Sequence, residues 1–381
     1  MSSVDETSGD LDSRLAIERL KDYTVVDCDI HEMNFDASVF AEYMDEPHKS
    51  KAEHLLKTDD PLTPPMVGSS QLDFNPDLDH RKYPRGMDKG MSPTSPDGVK
   101  QFMDRFHTDY AMLHGHQILM TCNVPDRDYA TAMARAYNDL LLDRWLDEHE
   151  GLKAGIKVAA QDPHAAAEEI DRLADEKDMV TVHLSMAEKD LFGDPKYEPI
   201  FDAASEHGLP IDMHPGEPNE PWAGVYGGET VGSCIERMTA LGQHIMAQVS
   251  SVIWSGLPEK YPDMDFVFLE AGVTWLPWMM GAMDKNYERR KHTVEWLEQK
   301  PSEYLRESCW IGTQPIEDPS VAGPANLNRI FEMIDAKNML MYATDFPHFD
   351  FDYPSMLTFP GLDEETERRI LGENAADVYG L

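Results

Sequence analysis

Four stretches of the chain end in residues able to hold or activate a cation. They are Asp27–His31 (DCDIH), Ile211–Gly216 (IDMHPG), Phe268–Gly272 (FLEAG) and Tyr342–Asp350 (YATDFPHFD). On a strand, residues two apart project to one side, so Asp29 and His31 can reach the same divalent cation. A D-x-H triplet alone is a weak signal, and its weight comes from the other three stretches. His214 stands where Pro215 and Gly216 turn the chain off its strand, Glu270 ends the FLE run, and Asp345 ends the YATD run with His348 three residues on. Carboxylates are almost never buried unpaired, so core packing does not account for these positions, whereas convergence on one metal does.

Residues that converge from such distant positions need a scaffold that gathers strand ends. Eight short apolar or β-branched runs are spread along the chain: Val25–His31, Gln117–Cys122, Gly155–Ala160, Met179–Ser185, Pro210–Pro215, Asp265–Gly272, Cys309–Gln314 and Met339–Asp345. Helical patterns lie between them, as in Asp128–His149 and Pro163–Lys177. Strands alternating with helices imply parallel pairing, and eight of them predict a single (β/α)8 barrel of the TIM type. Residues 1–22 read as an acidic tail and lead-in helix, and residues 23–381 as the barrel. Between the first two strands, residues 45–100 are rich in Pro, Asp and Gly, which is loop chemistry. This insertion leaves the carboxyl end of the first strand, so it is expected either to wall the pocket or to form a dimer-contact arm.

Charge limits the partners. The 381 residues carry 33 Lys+Arg against 71 Asp+Glu, a formal net charge of −38. So negative a surface repels phosphate, and no basic patch offsets it, which argues against nucleic acid and anionic membranes. The 41% hydrophobic content and seven Trp are ample for a folded core. The acidic excess therefore reads as a solvated shell suited to a salt-rich cytoplasm, where screening weakens self-repulsion. Cys28, Cys122, Cys234 and Cys309 form no CxxC pair and read as reduced core thiols. The amino terminus has no apolar h-region, and no apolar run is long enough to span a bilayer, so a cytoplasmic location is expected.

The chain resembles the amidohydrolase superfamily, in the branch of aminocarboxymuconate-semialdehyde decarboxylase and its amidohydrolase-related kin. The resemblance rests on VVDCDIHEMN, IDMHPGE, VFLEAGVTWLPWMM with MDKNYERR, YATDFPHFDFDYP and ILGENAADVYGL, in family order from about residue 23 to the end. It implies one divalent ion, Zn or Mn, held by Asp29, His31, His214 and Asp345, with a small carboxylic acid as substrate and a homodimer as the habitual assembly. Two departures stand out: Glu270 occupies the place of the decarboxylases' catalytic His, and His183 lies where other superfamily members carry a metal-bridging Lys.

Decarboxylation of an aromatic or unsaturated acid and hydrolysis of an amide, lactone or ester both suit this site, and the resemblance favours the lyase. Asp345, Glu270 and His348 are the expected catalytic groups. Like-charged neighbours should raise one carboxyl, with Glu270 the candidate acid. His348 could instead cap its loop. His183 reads equally as a pocket residue or a hydrogen-bonded core group. Arg289 and Arg290 suit either a substrate carboxylate or helix-surface pairing with Glu. Trp254, Trp275 and Trp278 are expected in core and pocket wall, and Asn374 at a helix start. The rival from another class is a non-catalytic acidic protein that binds solvent cations loosely.

Overall fold

In the computed structural model, the described residues are 17–33, 38–57, 91–186, 190–216, 234–316, 324–348, 351–352 and 361–381. Eight parallel strands form one sheet in sequence order: β1 (Val26–Ile30), β2 (Tyr110–Leu113), β3 (Leu152–Lys157), β4 (Met179–Ser185), β5 (Ile211–His214), β6 (Phe266–Phe268), β7 (Cys309–Gly312) and β8 (Leu340–Met341). Backbone bonds from Cys28 N to Tyr342 O (2.9 Å), from His31 N to Phe346 O (2.7 Å) and from Asp345 N to Asp29 O (3.0 Å) carry the sheet round from β8 to β1. The (β/α)8 architecture follows, with all strand carboxyl ends at one mouth.

Two layers of apolar packing hold it. Outward-facing strand residues such as Ile156, Leu184, Met213 and Phe268 pack under the surrounding helices. A smaller cluster fills the barrel, from Val26, Cys28, Met112, Val267, Leu269, Met341 and Ala343, and the terminal helix Asn374–Tyr379 plugs its floor with Ala375 and Tyr379. Asn374 starts that helix and donates to the Lys337 and Leu340 carbonyls (2.9 and 2.7 Å).

Several predicted elements differ from the observed ones. Gln117–Cys122 is part of a 3-10 helix, Gln117–Asn123, and the second strand lies earlier, at Tyr110–Leu113. A short apolar run fits a buried helical turn as well as a strand; here Ile118 and Leu119 are buried while Gln161 donates to the Thr121 carbonyl. The third strand begins at Leu152, three residues before the predicted Gly155. The predicted helices stop early, at Arg144 and Leu173, and the second is capped by Asp162, whose side chain accepts from Ala165 N (3.1 Å). Helices span His48–Lys57 within 45–100 and Pro96–Phe106 at its end, residues 58–90 lie outside the described residues, and so does the first half of the predicted lead-in helix, residues 11–16. Trp278 is 67% exposed on the helix Leu276–Arg290, one turn past Trp275, and does not join the core. No described helix is long and apolar enough to cross a membrane.

Candidate active site

Strand β1 departs from simple alternation. Its register with β2 shifts between Asp27 and Ile30, so Val26 and Cys28 face the interior cluster, and beyond the shift Asp29 and His31 turn to the mouth. Asp27 secures this bulge by accepting from Asp29 N, Thr344 N and Thr344 Oγ1 (3.2, 3.0 and 2.6 Å). Backbone strain aims two further carboxylates. Glu270 (φ 49°) and Asp345 (φ 63°) are two of four non-glycine residues in the left-handed region among the described residues, and they follow β6 and β8 at the mouth. Leu269 faces the interior, so an extended Glu270 would face away; its left-handed turn brings Oε2 to 3.6 Å from His214 Nε2.

These devices bring Asp29, His31, His214 and Asp345 together, with one ligand atom from each, all within 4.8 Å of one another. His31 Nε2 lies 2.9 Å from Asp345 Oδ1 and 3.2 Å from Asp29 Oδ1, and His214 Nε2 lies 3.4 Å from Asp29 Oδ2. Each imidazole spends its other nitrogen on a carbonyl: His31 Nδ1 donates to His114 O (3.2 Å) and His214 Nδ1 to Pro215 O (2.8 Å). That fixes the tautomer with an Nε2 lone pair at the site.

The donor atoms fit a cation. Both Asp29 oxygens, His31 Nε2, His214 Nε2 and Asp345 Oδ1 are buried without a hydrogen-bond partner among the described residues, an arrangement costly unless something else occupies it. Ligand atoms about 2.0–2.3 Å from one ion stand roughly 3–4.5 Å apart, which matches the spacing. Electrostatics agree. Burial raises the Asp29 carboxyl, but His214 and His31 outweigh it and hold the group well below its usual range. Burial opposes charge on His31, yet Asp29 and Asp345 raise it well above its usual range. Positive charge is favoured at this point, and a divalent ion supplies it while displacing the proton.

Around the four lies a shell that sequence reasoning only partly anticipated. His348 Nδ1 meets Asp345 Oδ1 at 2.7 Å and its ring stacks on His31 (centroids 4.1 Å). His116 Nδ1 lies 2.9 Å from His348 Nε2, and Gln314 Nε2 donates to Asp345 Oδ2 (3.1 Å). His114 pairs with His183, Nδ1 to Nδ1, at 2.6 Å. His114, His116 and Gln314 went unnoticed in the sequence. The HGH triplet was visible, but with the second strand placed at Gln117–Cys122 it preceded a strand instead of following one. Arg289 is not brought here: it lies exposed in the last turn of Leu276–Arg290, a helix that starts near the mouth and runs away from it. At about 1.5 Å per residue, that leaves it some ~20 Å from the helix start.

Comparison with known proteins places this geometry in context. A model of the amidohydrolase family matches residues 26–381. The gamma-resorcylate decarboxylase of Polaromonas sp. (strain JS666) is 22% identical over 284 residues, covering 70% of this chain and 84% of that protein. Among solved structures, 5-carboxyvanillate decarboxylase from Sphingomonas paucimobilis superposes with a TM-score of 0.61 at 21% identity, over 94% of this chain and 100% of that one. The 5-carboxyvanillate decarboxylase from Novosphingobium aromaticivorans, complexed with manganese and 4-hydroxy-3-methoxy-5-nitrobenzoic acid, gives 0.64 at 17% identity over 95% and 97%. The structural likenesses show a shared barrel fold.

Proposed function

Since the chain belongs to the amidohydrolase family, we propose that it is a single-metal decarboxylase of a small aromatic or unsaturated carboxylic acid. The observation that carries this reading is the convergence of Asp29, His31, His214 and Asp345, with both Asp29 oxygens and both imidazole Nε2 atoms unsatisfied by the described residues. Manganese, as in the Novosphingobium structure, or zinc suits two imidazoles and two carboxylates. When bound, the ion supplies Lewis-acid chemistry, holding oxygen donors and stabilising negative charge that develops on the substrate.

The chain's residues divide the remaining work. His348 and Gln314 each contact an Asp345 oxygen, so they hold that carboxylate in one orientation. Glu270, on its strained turn beside His214, is the proton donor. The bond between the carboxylate carbon and its neighbour breaks, carbon dioxide leaves, and the electron pair stays on the neighbouring carbon. The Glu270 carboxyl proton forms the new C–H bond there, and water reprotonates Glu270. The resemblance implies a His at this position, and a Glu carboxyl in its acid form would deliver the same proton. Support for the lyase over the hydrolase comes from the decarboxylase relatives.

The deciding experiment incubates the manganese-loaded protein with a panel of hydroxybenzoates and of lactones, following carbon dioxide and acid release separately. Carbon dioxide release with about one tightly held ion per chain is the expected result. Acid release alone would replace the lyase by the hydrolase, and no retained metal would favour a loose cation binder. The acidic shell supports a salt-rich cytoplasm as the setting. Repeating the assay across ionic strength tests this: the rate on an anionic substrate should rise until screening saturates, and a steady fall counts against it.

A further inference from the structure

A second imidazole pair lies in the barrel beside the four-residue cluster. His114 follows β2 and His183 sits on β4, with ring centroids 4.7 Å apart and Nδ1 atoms at 2.6 Å. His114 Nε2 is 2.9 Å from the Cys28 carbonyl oxygen, which can only accept, so His114 carries its proton on Nε2. With that proton on Nε2, His114 Nδ1 offers a lone pair. His183 Nδ1 is therefore the donor between the two rings, and His183 Nε2 is left as an acceptor. That nitrogen is buried and has no hydrogen-bond partner among the described residues. Burial, followed by the positive charge of Lys157, keeps His183 neutral.

The adjoining strand presents the complementary chemistry. Lys157, 1% exposed on β3, is in register with His183, and its ammonium donates to Ser185 Oγ. Ser185 is in turn in register with His214, and the His183 and His214 rings are 6.2 Å apart. A lone-pair acceptor beside an ammonium donor matches a group that both donates and accepts through one atom. A hydroxyl does so; an ether or a carbonyl offers no proton and a carboxylate none at neutral pH.

We propose that His183 Nε2 is a specificity-determining acceptor for a substrate hydroxyl, with Lys157 and Ser185 forming the donor side of the same subsite. The proposal rests on the mouth being a carboxylic-acid site. It narrows the substrate to an acid with a hydroxyl remote from the carboxylate, reaching the β3–β4 side of the mouth while the carboxylate end lies at the four-residue cluster.

The test is calorimetric titration of the manganese-loaded full chain with benzoate, its three monohydroxy isomers and the matching methoxybenzoates. One hydroxy isomer should bind about tenfold tighter than benzoate, and its methoxy counterpart should not. His183→Leu should bring that isomer within about twofold of benzoate, with benzoate affinity and bound metal unchanged, and Lys157→Met should remove part of the preference. Equal binding of hydroxy and methoxy acids to the unmodified chain would overturn the proposal without recourse to variants. So would a full hydroxyl preference in folded, metal-replete His183→Leu. If benzoate binds without hydroxyl preference, only the subsite falls. If the metal-loaded chain binds none of these acids, the carboxylic-acid reading falls and takes the subsite with it.

Discussion

The two ends of the barrel both bury acidic groups, but they satisfy them differently. At the floor, Asp178 meets Lys153 Nζ at 2.6 Å, the half-buried Asp265 accepts from Trp310 Nε1 at 2.7 Å, and Asp212 accepts from the Tyr379 hydroxyl at 3.1 and 3.2 Å. At the mouth, both Asp29 oxygens have no hydrogen-bond partner among the described residues, and Asp345 Oδ1 faces only the His31 and His348 ring nitrogens, although neither side chain reaches solvent. Burial alone therefore does not mark a site. Pairing offsets the cost of burying an acid, whereas an unsatisfied carboxylate leaves that cost standing and persists where something else occupies the position. In a TIM barrel this division falls along the axis, stability at the amino-terminal face and chemistry at the carboxyl-terminal face.

The sharpest way to test the contrast is to change one acid at the mouth. Asp345→Asn keeps the shape but removes a charge from the cation site and a contact of His348. Activity should fall by more than about 10³-fold and tightly bound metal should be lost, with circular dichroism unchanged. Full activity in this variant would remove the proposed mechanism. At the floor the expectation reverses. Tyr379→Phe takes one hydroxyl donor from buried Asp212, so unfolding free energy should drop by about 1 kcal/mol, while metal content and turnover stay within about twofold. A variant that lost metal before stability would break the division between the two ends.

Much of this was legible in the residues, and the failures share a cause. Asp29, His31, His214, Glu270 and Asp345 could be singled out because each ends a recognisable strand, and strand ends in a barrel share one mouth. Within DCDIH, however, alternation alone would aim Asp27 and Asp29 alike. It is the register shift after Asp27 that separates a residue securing the bulge from one facing the cation site, and bulges leave no clear trace in a single sequence. Glu270 reaches the mouth only through its left-handed backbone, also invisible beforehand. His114 and His116 were missed through one misplaced strand: QILMTC looked like β2, so the imidazoles at the true strand end were read as lying before it. Arg289 takes the helix-surface alternative, since its helix starts near the mouth but its own position is far along the axis.

The finest test of the contrast is the pH dependence at the floor. Burial raises the Asp265 carboxyl above its ordinary value of 3.8, against the opposing hydrogen bond from Trp310. A raised carboxyl binds its proton more tightly in the folded chain than in the unfolded one. Its contribution to stability is fully present below the unfolded value and is lost as pH rises through the folded one. Asp265→Asn keeps an acceptor for Trp310 Nε1 and cannot ionise, so it should lack this decline. The stability of the variant relative to the parent should climb as pH rises from 4, by on the order of a few tenths of a kcal/mol because the site is partly solvated. Urea unfolding at a series of pH values measures it on the metal-free chain, where the mouth carries no ion and the Asp265 difference can be read by subtraction. Parallel curves for the two proteins would mean that Asp265 binds its proton equally well folded and unfolded, the Trp310 bond balancing burial, and would overturn this expectation.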